Sequence, residues 1–153
     1  MNIEVTIRQA IPADAEWLTS CTDEAYGVYV AMLGRKPLPM TMDYLAAIDE
    51  FDVWIAEHEG SNVGLLVLQH EHDHTVIYSI AVLPASSGQG IGKSLLSHAE
   101  RVALTRGFKL LRLYTNERME RNLALYRSVG YINSHLTEYK GQNVIHLMKL
   151  LAE

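Results

Sequence analysis

Three of the ten glycines in this 153-residue sequence fall within five positions, at Gly88, Gly90 and Gly92. They lie between a predicted strand that ends at Pro84 and a predicted helix of about four turns. Glycine lets the backbone approach a ligand because no Cβ intervenes, and the first turn of a helix offers unpaired N–H groups at the positive end of its dipole. The turn and the following Lys93 therefore predict a phosphate or pyrophosphate site, although a tight turn with close helix–sheet packing would use the same glycines.

Two nucleotide-binding motifs do not fit this turn. A P-loop needs a glycine five positions before its glycine–lysine pair, and Ser87 stands there instead. The Rossmann pattern needs a glycine three residues after its second glycine, where this chain has Lys93 or Leu95. A P-loop-like nucleotide binder is kept as an alternative only because the turn ends in Gly92-Lys93-Ser94.

Two other features could carry chemistry. Cys21 is the single cysteine, so no disulfide can form within the chain, which favours a reducing, cytoplasmic location. We interpret it as a buried structural thiol rather than a nucleophile. On a strand, His70, His72 and His74 would share one face and could bind a metal. The run is predicted to be a polar hairpin loop, so we expect solvated side chains and no metal site.

The elements that must position these residues alternate between strands and helices. Period-two and period-3.6 patterns predict the order β-α-α-β-β-β-α-β-α-β-β, typical of a mixed sheet in one α/β or α+β domain. Predicted strands cover residues 3–7, 53–56, 63–68, 75–83, 110–115, 131–136 and 144–150. Predicted helices cover residues 12 to 26 or 29, 41–48, 90–106 and 121–129.

Composition narrows the class of protein further. Hydrophobic residues make up 48% and charged residues 20% of the sequence, as in a folded domain. Thirteen basic and eighteen acidic residues give a net charge of −5, which argues against a nucleic-acid partner. This charge is compatible with a cationic substrate, although solubility explains it at least as well. The densest apolar run, residues 63–68, is far shorter than the ~20 residues that span a bilayer, so we expect no membrane partner.

The glycine turn resembles the acetyl-CoA-binding motif of the GNAT superfamily of N-acetyltransferases. That motif is commonly written Gln/Arg-x-x-Gly-x-Gly/Ala; Gly90 and Gly92 match it, while Ser87 replaces its first residue. Residues 116–126 are similar to the segment that joins strand five to helix four in the family. The order of elements also agrees, so the resemblance implies one GNAT-like domain over residues 1–153.

The resemblance implies an α/β (α+β) fold and an enzymatic activity. The fold would be a mixed central sheet of about six to seven strands flanked by about four helices, with strands four and five splayed apart. The enzyme would transfer acetyl from acetyl-CoA, its co-substrate, to a primary amine by direct attack in a ternary complex, without a metal. The acceptor would be a small molecule, a peptide or protein N-terminus, or a lysine. A non-catalytic acyl-CoA sensor on the same fold is the alternative, and a homodimer is common in this fold.

The resemblance also implies roles for particular residues. Backbone groups around Ile80, Ala81 and Val82 would pair with the pantetheine arm, and an N–H near Val82 would hold the thioester carbonyl. Tyr126 would protonate the leaving thiolate as the catalytic residue and contact the coenzyme. The remaining coenzyme-binding residues would be Gly88, Gln89, Gly90, Ile91, Gly92, Lys93 and Asn122. No general base stands out, since Tyr114 occupies the strand-five position where many relatives carry an acid.

Overall fold

A seven-stranded sheet with helices on both faces forms the centre of the computed structural model, which describes residues 2–151. The strands lie in the spatial order β1-β2-β3-β4-β5-β7-β6. Their bounds are β1 Thr6–Gln9, β2 Asp52–His58, β3 Ser61–His70, β4 Thr75–Val82, β5 Leu110–Asn116, β6 Ile132–Tyr139 and β7 Gln142–Leu150. The α-helices are α1 Ala15–Tyr26, α2 Val28–Leu33, α3 Tyr44–Glu50, α4 Ile91–Thr105 and α5 Glu120–Ser128. Short 3-10 turns cover Pro12–Asp14, Leu38–Thr41 and Pro84–Ser86.

Strand β3 separates two hydrophobic cores. Leu66 and Leu68 pack with α4 and α5 on one face, whereas Leu65 and Val67 pack with α1 and α3 on the other. All four side chains are fully buried. A continuous apolar run is therefore favourable here, because both faces of this strand are covered.

Strands β4 and β5 are the parallel neighbours in the sheet, and they separate soon after they begin. Their pairing consists of Thr75 with Leu111 and Val76 with Arg112. The other neighbouring strands pair antiparallel. The strands therefore splay apart towards the carboxyl end of β4, as the family resemblance implied.

The structure corrects two details of the helical prediction. Residues 2–151 form five α-helices, close to the expected number: α1 ends at Tyr26, one of its two predicted ends, and α2, which was not predicted, follows Gly27. Gly34 ends α2 with a left-handed φ of 75°. The second predicted helix begins at Tyr44, later than expected, because the Asp43 carboxylate accepts hydrogen bonds from the N–H groups of Leu45 and Ala46.

The first strand also differs from its prediction. It covers Thr6–Gln9 rather than residues 3–7. The N–H of Ile3 donates to the carbonyl oxygen of Gln89 at 3.0 Å and so does not join the sheet. Within residues 2–151, no helix is both long and apolar enough to span a bilayer.

Candidate active site

A cavity of about 460 Å³ lies where the end of β4 meets the start of α4. Its wall also includes parts of α1, α2 and α5. Nine of the eleven predicted site residues line it: Ile80, Ala81, Val82, Gly88, Gly90, Ile91, Gly92, Lys93 and Asn122. The structure therefore brings most of the predicted coenzyme site together around one space.

The backbone of the glycine turn has the conformation that an anion site needs. Gly88 and Gly90 have φ values of 78° and 80°, in the left-handed region that favours glycine. Gly90 is the N-cap of α4, and its carbonyl accepts the N–H of Ser94 at 3.0 Å. The N–H groups of Ile91 and Gly92 fall in the first helical turn, where no intrahelical acceptor exists.

Gly92 also has a packing role. A Cβ at this position would lie 3.1 Å from Cδ2 of Leu125, closer than most real Cβ contacts. The absent side chain therefore lets α4 approach α5. Both interpretations of the glycines, anion binding and close packing, are compatible with the same turn.

Gln89 does not line the cavity. Instead, its carbonyl oxygen accepts the N–H of Ile3 at 3.0 Å, which holds the amino-terminal segment against the turn. The neighbouring Asn2 covers Gly90, and its Oδ1 atom would lie 2.6 Å from a Cβ there. No pattern in the sequence indicated Asn2, because the contact depends on how the segment before β1 folds back.

The cavity at the glycine turn, called the larger cavity below, is electropositive. Lys93 and Arg121 line it, and no aspartate or glutamate of the described chain does. Neither cation forms an ion pair with a carboxylate in residues 2–151. Sequence reasoning missed Arg121, although its place beside Asn122 on α5 was a usable signal.

Backbone groups of β4 face the gap between β4 and β5. The N–H of Leu83 donates to Val63 of β3 at 2.9 Å, so antiparallel alternation directs the backbone groups of Val82 and Ile80 away from β3. The hydroxyl of Tyr26 donates to the Ile80 carbonyl at 2.8 Å. The same alternation directs the N–H and C=O of Ala81 towards β3, so its backbone is not offered to the gap.

A second cavity, of about 90 Å³, continues into this gap. Tyr26 and Asn122 line both cavities and mark their junction. Besides Tyr26, four tyrosines line the smaller cavity: Tyr78, Tyr114, Tyr126 and Tyr139. Two adjacent spaces, one basic and one aromatic, therefore share a boundary at the splay of the sheet.

The match to a protein family explains this arrangement. Residues 15–131 match the family described as Acetyltransferase (GNAT) family. The chain belongs to this family. Family membership confirms the predicted resemblance to the GNAT superfamily and the predicted GNAT fold.

Curated relatives of this GNAT chain share its sequence over part of their length. Mycothiol acetyltransferase of Frankia casuarinae is 30% identical over 150 residues, which cover 84% of this chain and 41% of the relative. The 5-NmdU N-acetyltransferase of Pseudomonas phage PaMx11 is 31% identical over 88 residues, which cover 56% of this chain and 61% of the relative. The chain spans less than two thirds of the length of either relative.

Solved structures share the GNAT fold at lower identity. PaiA N-acetyltransferase from Thermoplasma acidophilum, solved in complex with coenzyme A, superposes with a TM-score of 0.79 at 17% identity. The likeness covers 94% of this chain and 98% of that one. It concerns the arrangement of helices and strands around the splayed sheet.

Within this GNAT site, Tyr126 lies on α5 and lines the smaller cavity. Only 5% of the residue is exposed, and its ring centroid lies 6.1 Å from that of Tyr131. Burial raises the pKa of Tyr126 well above its usual value, with the neighbouring Tyr26 as the next cause. The raised pKa keeps Tyr126 protonated. The described residues provide no hydrogen-bond partner for its hydroxyl, so its O–H is a free donor.

Ser79 provides a second unused polar group in the smaller cavity. It is 3% exposed, and its hydroxyl lies near those of Tyr26 and Tyr44, although it forms no well-aligned hydrogen bond with a described residue. Tyr114, at the strand-five position where many relatives carry an acid, also lines this cavity. The described lining contains no aspartate, glutamate or histidine, so no side chain there is an ordinary general base.

The cysteine and the histidine run lie outside the two cavities. Cys21 is 1% exposed, and burial raises its pKa to about 12, so its thiol is a poor nucleophile. The ring nitrogens of His70 lie 2.8 Å from Oδ2 of Asp52 and 2.8 Å from Oγ1 of Thr75. Nδ1 of His74 lies 2.7 Å from Oδ1 of Asp73. Among residues 2–151, no group of three or more histidine, cysteine, aspartate or glutamate side chains is arranged to hold a metal ion.

Proposed function

We propose that the protein transfers the acetyl group of acetyl-CoA to a primary amine of a small molecule or a peptide, by direct attack in a ternary complex. One observation carries this proposal: a basic cavity and an aromatic cavity meet at Tyr26 and Asn122, beside the splayed edge of β4. Such a junction would bring two substrates into contact without a covalent enzyme intermediate. The buried Cys21, with its raised pKa, is poorly suited to carry an acyl group.

The larger cavity would hold acetyl-CoA. Its pyrophosphate would accept hydrogen bonds from the glycine turn and the first turn of α4, with Lys93 and Arg121 balancing its charge. The backbone of Ile80 and Val82 would pair with the pantetheine arm, and Asn122 would contact the arm near the junction. These donors and cations supply the compensation that a pyrophosphate needs, so the proposal includes no metal. The names of the two curated relatives and the coenzyme-bound Thermoplasma structure support acetyl-CoA as the co-substrate.

The chemistry would take place at the junction of the cavities. The amine nitrogen would attack the thioester carbon and form the C–N bond, while the N–H of Val82 would stabilise the negative charge that develops on oxygen. The C–S bond would then break, and Tyr126 would donate its proton to the departing sulfur. Because no carboxylate or histidine lines the smaller cavity in the described chain, water would take the proton that the amine must lose.

Three further predictions, on the domain bounds, the location and the oligomeric state, also remain proposals. The chain would form one N-acetyltransferase domain over residues 1–153. The single, free Cys21 suits a reducing, cytoplasmic location. A homodimer is proposed only because homodimers are common in this fold.

The proposal is tested by separating coenzyme binding from turnover. Calorimetry would measure the affinity for acetyl-CoA, and release of free thiol would report transfer to a panel of primary amines. Mass spectrometry would confirm the acetylated product. Coenzyme binding without transfer to any amine would contradict catalysis and favour a non-catalytic acyl-CoA sensor.

A further inference from the structure

The charge of the smaller cavity is opposite to that of the whole protein. The chain carries a net charge of −5, yet Arg35 is the only charged residue among the described residues that line this cavity. No carboxylate of the described chain pairs with Arg35. A partly buried cation without an anion favours a ligand that brings one.

The position of Arg35 is fixed by its surroundings. Its guanidinium carbon lies 5.1 Å from the ring centroid of Tyr139, and its Nη2 donates to the Tyr139 carbonyl at 3.5 Å. The other N–H groups of the guanidinium remain available to a carboxylate. The preceding backbone is anchored twice: Gln142 donates to the carbonyl of Leu33 at 2.7 Å, and Arg118 donates to that of Met32 at 2.6 Å. The backbone that leads to Arg35 is therefore anchored before any ligand arrives, which lowers the cost of binding.

The rest of the cavity suits a compact apolar body. Its volume of about 90 Å³ is smaller than the engineered cavity of about 150 Å³ that accommodates benzene. Tyrosines, leucines and prolines dominate its wall, while the unpartnered hydroxyl of Ser79 offers one polar contact. Arg35 and Tyr139 line the smaller cavity and not the larger one, so they do not belong to the junction that Tyr26 and Asn122 mark.

We infer that the acceptor is a small ω-amino acid, with a primary amine at one end, a compact apolar body and, at the other end, a carboxylate that Arg35 binds. This inference rests on the proposed function, because it describes the second substrate of that reaction. The amine would lie at the junction, beside Tyr126, and the carboxylate at the opposite end, at Arg35. A polyamine would place a second positive charge against Arg35 and is therefore disfavoured.

Matched pairs of amines test the inference. 5-Aminopentanoate is compared with pentylamine, and 4-aminobutanoate with butylamine, by steady-state acetylation, with spermidine as the cationic probe. We expect kcat/KM to be at least 10-fold higher for the carboxylate-bearing member of each pair, and lowest for spermidine. R35Q should remove this preference by raising KM for the amino acids at least 10-fold, while pentylamine changes less than 2-fold.

Control variants make the outcome specific. Arg106 is exposed at the C-cap of α4 and lines neither cavity, so R106Q should keep the full preference. Because the readout is a ratio between paired substrates, a general loss of folded enzyme does not change it. S79A should raise KM for both members of each pair, since the Ser79 hydroxyl does not contact the carboxylate.

The possible failures are distinguishable. Equal rates within each pair, a preference for spermidine, or an unchanged ratio in R35Q would overturn the inference and leave acetyl transfer intact. If acetyl-CoA binds and no amine is acetylated, the proposed function fails, and this inference fails with it.

Discussion

The hydroxyl of Tyr26 donates a hydrogen bond to the carbonyl oxygen of Ile80 at 2.8 Å, on the side of β4 that faces the gap. Tyr26 belongs to α1, so this contact ties the helix to the edge of the splayed strand. Because Tyr26 lines both cavities, the same contact lies at their boundary. The carbonyl that we propose for the pantetheine arm therefore already has one partner in the free protein.

Replacing Tyr26 with phenylalanine should destabilise the free protein. The change leaves the buried Ile80 carbonyl without its donor, which typically costs about 1–3 kcal/mol in the free energy of unfolding. Urea denaturation would measure the loss. Tyr29→Phe is the matched control, because Tyr29 lines the same cavity and the described residues give its hydroxyl no hydrogen bond.

Saturating coenzyme A extends this prediction. If the arm donates to Ile80, coenzyme A compensates the missing hydroxyl, and the stability deficit of Tyr26→Phe becomes smaller when the ligand is bound. An unchanged deficit would argue against a pantetheine contact at Ile80.

Replacing Tyr126 with phenylalanine should lower kcat by a factor of about 10²–10⁴, the usual contribution of a positioned proton donor. The affinity for acetyl-CoA should change little, because the aromatic ring and its packing remain. Tyr131→Phe is the control: this tyrosine is also buried and packs against Tyr126, but it lines neither cavity. Comparable turnover in the two variants would remove Tyr126 from the mechanism.

Gly90→Ala tests whether the turn binds the coenzyme. Its φ of 80° is costly for alanine, by about 1–2 kcal/mol. At the other end of α4, Gly107 has a φ of 83° and open space around it, so Gly107→Ala carries the same backbone strain far from the cavity. Gly90→Ala should lose somewhat more stability than Gly107→Ala in thermal unfolding, because its Cβ must also displace the Asn2 side chain. Only Gly90→Ala should weaken acetyl-CoA binding, by at least about 10-fold. Equal affinities would show that the turn has only a structural role.

The sequence predicted those parts of the site that depend on local pattern. Glycine spacing and helix periodicity located the turn before α4, and continuous apolar residues located the doubly covered β3. These features follow from rules that act over a few residues. The resemblance to a known family then added the splay of β4 and β5, which no local pattern encodes.

The parts that the sequence did not predict depend on long-range contacts. Asn2 reaches Gly90 because its segment folds back over the turn, and Arg35 reaches Tyr139 across more than a hundred residues. The sequence does not decide whether the first helix ends before Gly27, because a single glycine is often tolerated within a helix. Local reasoning also suggested a cationic acceptor from the net charge, whereas the smaller cavity contains Arg35 and no carboxylate in its described lining.

Asp14 should make the stability of the protein depend on acidic pH. Its carboxylate accepts two hydrogen bonds from Arg8, at 2.8 and 2.9 Å, and one from the N–H of Ile11 at 2.8 Å. The hydrogen bonds from Arg8 are the largest cause of a lowered pKa for Asp14. A lowered pKa in the folded state means that the stabilisation is present above the unfolded value, near 3.9, and is lost as pH falls through the folded value.

Asp14→Asn should therefore cost about 1.5–3 kcal/mol at pH 7, the usual range for hydrogen bonds to a charged group. The difference between the native protein and the variant should diminish as the pH falls below about 4, because the unfolded carboxyl takes up a proton there, whereas the folded carboxyl does so only at lower pH. Urea denaturation at pH 7, 5 and 3 measures this difference directly. Asp49→Asn is the control, since Asp49 is exposed and forms no hydrogen bond or ion pair among the described residues. A difference that stays constant from pH 7 to 3 would mean that Asp14 stabilises the fold through its shape rather than through its charge.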